Sequence, residues 1–277
     1  MKPARFDYAR PETLEGALAV LAEQGPEASV LAGGQSLMPM LNLRMARPGM
    51  LVDINRIPGL DAITLAGGVL SIGARARHAE VLASPLVQQA APMLAQALQH
   101  VAHPAIRNRG TLGGSLALAD PAAEMPACAA CLGATIVLAS AGGGRRVAAK
   151  DFFLGVYATA IEPGELILRV EIPAIATGWT HLFQEVSRRH GDYAMAGLAL
   201  ALRRKGAGIA EARIALCGVE SATRRQAEAE AALVAGGIEA ACQVLGGLDA
   251  MGGEEVTAAH RIHLARVLLR RAMGTRN

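Results

Sequence analysis

The sequence predicts an α+β protein of two domains. Residues 11–172 alternate between amphipathic helical segments and short apolar strands, which predicts a layered unit of helices and sheet. Residues 180–219 contain three strand-like segments followed by a helical region, a pattern typical of a separate α+β domain. The 277-residue chain is also longer than the roughly 150 residues of one average domain. Turn residues at Pro173–Gly178 separate the two patterns, so we predict domains at 1–176 and 177–277.

Periodicity and turn residues predict the individual elements. Apolar residues at i, i+3, i+4 and i+7 spacing predict a helix within Pro11–Gln24. Pro85 and Pro92 divide the helical pattern of His78–His100 into shorter pieces. In the first domain, strands are predicted at Ala28–Ala32, Leu51–Ile54, Val69–Ile72, Thr135–Ala139 and Leu166–Ile172. In the second, strands at Thr180–Val186, Ala194–Leu202 and Ile209–Val219 precede a helical region that begins at Thr223.

The composition excludes several classes of protein. Hydrophobic residues make up 52%, enough for a large core, which excludes a disordered chain and a disulfide-stapled mini-protein. The net charge is +3, arginine pairs are scattered and aromatics are only 3%, so we expect no nucleic-acid partner. The longest weakly polar stretch, Met125–Ala139, is interrupted by Pro126 and Gly133, so we expect no membrane span. Met1–Asp7 has no apolar run of a secretory signal, and we expect a cytoplasmic protein.

Two glycine motifs resemble each other and predict a phosphate site. They are Leu31–Ser36 and Gly110–Ser115, each with paired glycines and a serine. Paired glycines let backbone N–H groups approach a ligand, although each motif alone is also typical of a tight turn. Two copies favour one extended diphosphate held from both sides, as in a nucleotide cofactor such as FAD. Nearby Arg107 and Arg109 are predicted either to offset such a charge or to pair with surface carboxylates.

These motifs and several further blocks resemble the flavoprotein (medium) subunit of molybdenum hydroxylases. That family includes the carbon monoxide dehydrogenase medium subunit and the flavin domain of xanthine dehydrogenase. The similarity is collinear over nearly the whole chain, and the two glycine motifs together are specific for it. The blocks are Ala32–Leu41 with Arg44 and Leu51–Ile54, Ile106–Ala117 with Asp120–Glu124, Arg188–Ala194, Ala212–Ile214 with Gly218–Val219, and His263–Ala265.

The resemblance implies a two-subdomain FAD-binding fold of the vanillyl-alcohol-oxidase type. The subdomains would span about 1–57 and 58–176, followed by the C-terminal domain of molybdenum hydroxylase flavoproteins. It implies that the two motifs hold the FAD diphosphate, that Glu124 lies near the ribityl chain and that Ile167 lies beside the flavin. It implies no catalytic residue and no metal ligand in this chain. The implied cofactor-binding residues are Ala32, Gly33, Gly34, Gln35, Ser36, Thr111, Leu112, Gly113, Gly114, Ser115, Ala117, Asp120, Glu124, Ile167, Gln184 and Tyr193.

Some of these positions admit a second interpretation. Asp120 is equally well explained as a helix cap. Family members often carry a lysine just after the aromatic at Phe183, where a cation would stabilise anionic reduced flavin. Gln184 and Glu185 stand in that stretch here, which leaves the local electrostatics open. Tyr193 is predicted either against the isoalloxazine or as a strand residue packed at a domain interface.

Three short motifs predict packing instead of chemistry. Cys128 and Cys131 form a CxxC pair, but the other two cysteines are distant, so we predict two buried helical thiols. The HxxH pairs within His100–His103 and His260–His263 lack the glutamate of a zinc motif and a third ligand. We therefore predict no metal site, and a packing role for His263.

The resemblance implies an oxidoreductase subunit that carries FAD and relays electrons. Its implied partners are a large subunit with molybdopterin cofactor and a small subunit with 2Fe–2S clusters, assembled as a dimer of heterotrimers. Electrons would pass through FAD to an external acceptor. Two alternatives are a stand-alone FAD-dependent oxidase of the same fold and a non-redox nucleotide-binding scaffold. The substrate of the complex and its physiological acceptor do not follow from this sequence.

Overall fold

The computed structural model describes residues 2–206 and 208–274, which begin with a small parallel sheet. The elements of this first part are β1 (Asp7–Ala9), α1 (Leu14–Gln24), a 3-10 turn at Gly25–Glu27, β2 (Ala28–Leu31), α2 (Leu37–Asn42) and β3 (Met50–Asp53). The three strands pair in parallel in the order β1–β3–β2. Thr13 caps α1 by accepting a hydrogen bond from the Gly16 N–H, so the helix starts inside the predicted span.

The second part is a five-stranded antiparallel sheet covered by short helices. Its elements are β4 (Ile63–Ala66), β5 (Val69–Gly73), α3 (His78–Ala83), α4 (Pro85–Ala90), α5 (Pro92–Leu98), α6 (Pro104–Arg107), α7 (Leu112–Leu118), α8 (Glu124–Leu132), β6 (Thr135–Ser140), β7 (Gly143–Ala148), α9 (Ala149–Phe152), β8 (Phe153–Gly155), β9 (Ala158–Thr159) and β10 (Leu166–Pro173). The sheet order is β4–β5–β10–β6–β7, and β8 and β9 form a separate hairpin. As predicted, Pro85 and Pro92 each begin a new helix, because proline fits the first helical turn.

The third part is a three-stranded antiparallel sheet backed by two helices. Its elements are β11 (Trp179–Ser187), β12 (Ala194–Lys205), β13 (Gly208–Cys217), α10 (Ala227–Leu245) and α11 (Ala258–Ala272). Both faces of this sheet are buried. Ala199 and Ala201 of β12 join the core of the five-stranded part, while Leu198 and Leu200 pack with α10 and α11. The two-domain α+β fold predicted from the sequence is confirmed.

Hydrogen bonds tie the third part to the second. The Gln96 side chain on α5 accepts from the Phe183 N–H (2.7 Å) and donates to the His181 carbonyl oxygen (3.2 Å). The Gly218 N–H donates to the carbonyl oxygen of Pro121 (2.8 Å). These bonds hold β11 beside α5 and the end of β13 beside Pro121, which precedes α8. In the described ranges, no helix is both long and apolar enough to cross a bilayer.

Several elements differ from the sequence prediction. Five strands, β1, β4, β7, β8 and β9, are missing from it, because they are short or, in β7, rich in glycine and arginine. The second glycine motif is the first turn of α7 and is not a loop.

A buried carboxylate stabilises the C-terminal part and provides a test of the fold. Glu230 on α10 is only 7% exposed, accepts from the Ile214 N–H (2.8 Å) and pairs with Arg225 (2.5 Å). Glu230→Gln keeps the size but removes the charge, so the free energy of unfolding should fall by about 1.5–3 kcal/mol. Urea denaturation measures this change. The control Glu228→Gln, exposed two residues earlier, should stay within about 0.5 kcal/mol of the wild type. Equal losses in both variants would contradict this role of Glu230.

Candidate functional site

A cleft of about 830 Å³ lies where the three parts of the chain meet. This volume is within the range of ligand-binding pockets. The cleft is lined by Ala32–Ser36 from the first part, by His78 and Gly113–Ser115 from the second, and by Gly191–Tyr193 before β12. Among the described residues, the charged lining side chains are all acidic, and no lysine or arginine contributes to the wall: Asp120, Glu124, Glu162, Glu165 and Asp192.

The first glycine motif presents a run of backbone donors to this cleft. It connects β2 to α2, and Gly34 has a φ of +71°, the left-handed conformation that glycine adopts without strain. Within the described part of the chain, the N–H groups of Gly33, Gly34, Gln35 and Ser36 have no hydrogen-bond acceptor. Successive backbone donors in such a turn form a concave site for anions. This segment therefore has the donors that a diphosphate needs.

The second glycine motif uses its backbone donors for the fold. Thr111 caps α7 by accepting from the Gly114 N–H (3.1 Å). The N–H groups of Leu112 and Gly113 donate to the carbonyl oxygens of Ala76 (3.1 Å) and Ala74 (2.9 Å). Unlike the first motif, the second is therefore not an open loop of free backbone donors. What remains for a ligand on this side is the Ser115 side chain, whose hydroxyl makes no hydrogen bond within the described residues.

Glycine at position 33 lets the two motifs touch. A Cβ atom at Gly33 would lie 2.3 Å from the Arg109 carbonyl oxygen and 2.9 Å from Gly110 Cα. Likewise, a Cβ at Gly113 would lie 2.6 Å from the Ala74 carbonyl oxygen. Real Cβ atoms do not approach backbone this closely, so any larger residue would force the segments apart.

A network of hydrogen bonds around Asn55 and Arg77 holds the first motif in position. Asn55 Nδ2 donates to the Ala32 carbonyl oxygen (2.8 Å) and to Asp53 Oδ1 (2.7 Å). Asn55 Oδ1 accepts from Arg77 (2.6 Å), whose guanidinium also donates to the Arg109 carbonyl oxygen. Hydrogen bonds from the Tyr8 hydroxyl and the Asn55 N–H hold the pKa of Asp53 below its usual value despite burial, so its carboxylate stays an acceptor.

His78 lies in the cleft wall between the two motifs. Its side chain is 6% exposed, and no described residue makes a well-formed hydrogen bond with either ring nitrogen, although the nearby Thr111 backbone opposes the effect of burial on the His78 pKa. Burial lowers the pKa of His78 to about 4, so the ring is neutral at pH 7. A neutral imidazole carries one donor and one acceptor, and buried polar atoms without partners are rare in folded proteins.

The far end of the cleft combines acidic and aromatic side chains. Glu124, the first residue of α8, is 8% exposed, and burial followed by nearby Asp120 raises its pKa to about 7. Ile167 on β10 is buried in the wall. Tyr193 is 76% exposed in the loop before β12, which excludes the interpretation as a packed strand residue.

Asp120 caps a turn. Its Oδ1 accepts from the Ala122 N–H (2.9 Å), whereas α8 begins only at Glu124. The interpretation of Asp120 as a helix cap is therefore wrong, and its carboxylate lines the cleft.

Most of the predicted site residues line the cleft, and two of them lie elsewhere in the structure. Leu112 is buried in the core of the second part. Gln184 is on the face of β11 that carries Leu182 and Val186, which pack toward α10 and α11. Strand side chains alternate, so Gln184 points away from the cleft, and its predicted position there is wrong. The lining set is Ala32, Gly33, Gly34, Gln35, Ser36, Thr111, Gly113, Gly114, Ser115, Ala117, Asp120, Glu124, Ile167 and Tyr193.

The other residues considered from the sequence, Arg107, Arg109, Cys128 and Cys131, make contacts within the fold and do not line the cleft. Arg107 donates to the carbonyl oxygens of Val101 (2.8 Å) and Ala102 (2.9 Å), which is neither of the predicted roles. Arg109 contributes its backbone carbonyl to the network behind the motifs. Cys128 and Cys131 are buried on α8, as predicted.

Within the described residues, neither HxxH pair is part of a possible metal site. His263 is exposed and stacks on His260 with ring centroids 6.3 Å apart, so the packing role predicted for it is wrong. Over residues 2–206 and 208–274, no group of three or more potential metal-ligating side chains is present.

Sequence reasoning missed Asn55, Arg77 and His78, and it did not assign Glu185 to a face of its strand. Asn55 directly follows a predicted strand, where polar residues at the strand end are a usable signal. Glu185 shares its face of β11 with Phe183, and the two-residue strand period could have placed it there. Arg77 and His78 carried no local signal, because their role depends on the approach of a segment about thirty residues away.

Comparison with known proteins gives the family. The model of the FAD binding domain in molybdopterin dehydrogenase matches residues 4–175, and that of the CO dehydrogenase flavoprotein C-terminal domain matches residues 181–275. The chain is 41% identical to the 6-hydroxypseudooxynicotine dehydrogenase complex subunit alpha of Paenarthrobacter nicotinovorans, over 99% of this chain and 95% of the relative.

Solved structures agree with this assignment. A chain of carbon monoxide dehydrogenase from Hydrogenophaga pseudoflava, solved without the Mo-pyranopterin moiety, matches with a TM-score of 0.95 and 37% identity, over 99% of this chain and 98% of that chain. A chain of quinoline 2-oxidoreductase from Pseudomonas putida 86 matches with a TM-score of 0.92 and 41% identity, over 98% and 96% of the two chains. The chain thus belongs to the FAD-binding subunits of molybdenum hydroxylase-type dehydrogenases, and it is an oxidoreductase subunit.

Proposed function

We propose that this chain is the electron-transfer subunit of a heterotrimeric molybdenum hydroxylase. Its partners would be a large subunit with molybdopterin cofactor and a small subunit with 2Fe–2S clusters, assembled as a dimer of heterotrimers. Electrons from the clusters would leave this subunit for an external acceptor. The observation that carries the proposal is the cleft, in which unpaired backbone donors face Ser115 and His78.

The residues of the cleft fit FAD. A dinucleotide carries a diphosphate that needs several donors, and Gly33–Ser36 offers four consecutive N–H groups. The absence of a Cβ at Gly33 keeps the backbone of the opposite motif in contact, which narrows the cleft at the donors. Orphaned His78 nitrogens and the Ser115 hydroxyl supply further polar partners on the other wall. FAD, when bound, accepts one or two electrons, whereas the protein supplies position and electrostatics.

In this proposal, different residues of the cleft bind different parts of FAD. Gly33–Ser36 would bind the diphosphate, and Asn55 holds that segment in place through the Ala32 carbonyl oxygen. Ile167 and Tyr193 would flank the flavin ring, with Glu124 beside the ribityl chain. The third part, held by Gln96, contributes Gly191–Tyr193 to the wall of the cleft.

An absorption spectrum of the protein purified from its native host tests the proposal. We expect flavin bands near ~450 nm with a broad iron–sulfur contribution, and two further polypeptides that carry molybdenum and iron. Flavin without partners, in a preparation whose subunit contacts are preserved by cross-linking before lysis, would favour the stand-alone oxidase. A colourless protein that does not bind added FAD would contradict both flavin functions and favour the scaffold.

Gly33→Val should abolish flavin binding by separating the two glycine motifs. The new side chain would meet the Arg109 carbonyl oxygen and Gly110 Cα, so the donors would move away from the opposite wall. We expect FAD content per polypeptide to fall at least about tenfold, the change that a loss of about 1.4 kcal/mol produces. Absorbance after gel filtration measures it. Gly253→Val is the control, because a Cβ at Gly253 would meet nothing within 4 Å. Full flavin retention by Gly33→Val would contradict the assignment.

His78→Phe should weaken FAD binding while leaving the fold intact. The ring is replaced by an apolar one, and a hydrogen bond to a charged or polar cofactor group is lost. We expect the Kd for FAD to rise about tenfold or more, since such bonds contribute about 1.5–3 kcal/mol. Flavin fluorescence quenching on titration of apoprotein measures the Kd. His78→Gln, which keeps a donor, should recover part of the affinity, and His263→Phe on exposed α11 should leave it unchanged.

A further inference from the structure

The loop that carries Tyr193 contacts a second loop in the wall of the cleft. Residues 188–193, here called the Tyr193 loop, connect β11 to β12, and residues 99–103 connect α5 to α6. Gly191 and Tyr193 line the cleft from the first of these loops, and Ala102 lines it from the second. The two loops therefore meet where the C-terminal part of the chain reaches the cleft.

Gly191 makes the contact between the loops close. Its φ is +84°, and a Cβ atom there would lie 2.7 Å from the Ala102 carbonyl oxygen, 2.9 Å from the Ala102 carbonyl carbon and 3.0 Å from His103 Cε1. Glycine is the residue that fits both the left-handed conformation and these distances. A side chain at position 191 would push the Tyr193 loop away from residues 99–103.

Ala102 has an unusual backbone conformation that Arg107 stabilises. Its φ is +42°, in the left-handed region that is unfavourable for residues other than glycine. Arg107 Nη1, on α6, donates to the Ala102 carbonyl oxygen (2.9 Å) and to the Val101 carbonyl oxygen (2.8 Å). Strained conformations persist where the surrounding contacts fix them. The Arg107 guanidinium thus holds the same carbonyl group that Gly191 touches.

Two further contacts define the shape of the Tyr193 loop. The ring centroids of His190 and His100 lie 6.4 Å apart, within the range of aromatic pairs. The Asp192 N–H donates to the Arg189 carbonyl oxygen (3.1 Å), which closes a turn inside the loop. Because this turn is closed and the loop touches residues 99–103 at two points, the backbone that leads into Tyr193 has a defined position.

Arg107 can act on a ligand only through these loops. In the described part of the chain the wall of the cleft contains no arginine, so the Arg107 guanidinium does not reach a ligand directly. It donates instead to the carbonyl oxygens of two residues that line the cleft. Tyr193 lines the cleft and is 76% exposed, so few contacts hold its own side chain, and its position depends on the backbone of the loop.

We propose that Arg107 and Gly191 are positioning residues that hold Tyr193 at the flavin end of the cleft. Arg107 fixes the Ala102 carbonyl group, and Gly191 lets the Tyr193 loop lie directly against it. The inference rests on the proposed function, because Tyr193 acts on a flavin only if the cleft binds FAD. A loop that is ordered before the cofactor arrives lowers the entropic cost of binding and keeps the tyrosine ring beside the isoalloxazine.

Hydrogen exchange of the flavin-free full-length chain tests the contact between the loops. In Arg107→Met the amides of the Tyr193 loop should exchange about tenfold faster or more, because two charge-assisted hydrogen bonds to residues 99–103 are lost. Arg107→Lys, which keeps a charged donor, should recover part of the protection. The control Arg204→Met, exposed on β12, should leave exchange in the loop unchanged. Weaker FAD binding by Arg107→Met with wild-type exchange of the loop would indicate a direct effect of charge and overturn the proposal.

Gly191→Ala tests the same contact from the other loop. The new Cβ would meet the Ala102 carbonyl oxygen, so exchange across the Tyr193 loop should rise as it does in Arg107→Met. Gly59→Ala is the matched control, because Gly59 has a similar φ of +79° but a Cβ there would meet nothing within 4 Å. Combining Gly191→Ala with Arg107→Met should add little, since both variants break one contact. Fully additive effects, or wild-type exchange in Gly191→Ala, would contradict the proposal.

Flavin fluorescence of the FAD-loaded chain tests whether the contact acts through Tyr193. A tyrosine ring against a flavin quenches its emission, so emission per bound flavin should rise in Arg107→Met and in Tyr193→Leu. The double variant should emit no more than Tyr193→Leu alone, because Arg107 then has no tyrosine ring to position. Stronger emission from the double variant would overturn this role of Arg107. Failure of the wild type to bind added FAD would instead refute the proposed function, while hydrogen exchange would still decide whether Arg107 and Gly191 hold the loop.

Discussion

The contact between Gly33 and the backbone at Arg109–Gly110 is the constraint on which the cleft depends. It joins two subdomains with different sheets, and it permits no side chain at the point of contact. Because the two backbones touch, the Arg77 guanidinium reaches both Asn55 and the Arg109 carbonyl oxygen. One network thereby fixes the orientation of the donor segment and the distance to the opposite wall.

The C-terminal part adds the other end of the site at an electrostatic cost. Gln96 holds β11 against α5, and the Gly218–Pro121 hydrogen bond holds the end of β13 near the start of α8. Burial raises the pKa values of Glu124 and Glu185, so a negative charge on either carboxyl group is disfavoured. Perturbed carboxyl groups in a cleft are typical of functional sites, and the extensive apolar packing around Phe183 and Ala199 offsets the cost here.

The sequence predicted the features that depend on local rules. Pro85 and Pro92 divide three helices because a proline ring fits only the first turn, whatever the tertiary structure. The glycine motifs were recognisable because the pattern of paired glycines followed by a serine occurs twice in the sequence. By contrast, the difference between the motifs depends on Ala74 and Ala76, which accept the donors of α7. No local rule identifies that partner, so the sequence alone did not show that the second motif spends its backbone donors within the fold.

The strand period predicts to which side of the sheet each β11 side chain points, and Gln184 shows that nearness along the chain is a poor guide to this. Gln184 follows the aromatic directly and was chosen for its proximity along the chain, yet the strand period assigns it to the α10 side. Glu185 shares the face of Phe183, whose position in the main core fixes the direction of the whole strand. The burial of Glu185, however, also needs Gly197 on the next strand, a long-range pairing that periodicity alone does not provide.

The distribution of charge around the cleft follows from these arrangements. In the described part of the chain, its wall carries carboxylates and neutral donors but no lysine or arginine. A diphosphate bound there would be held by oriented dipoles, the N–H groups of Gly33–Ser36 and side chains such as Ser115, which need no counter-charge of their own. At the other end, burial raises the pKa of Glu124 to about 7, so its carboxyl group carries less negative charge near neutral pH than an exposed glutamate does. The neutral donors at one end and the raised pKa of Glu124 at the other both limit the charge in a cleft whose described wall has no lysine or arginine.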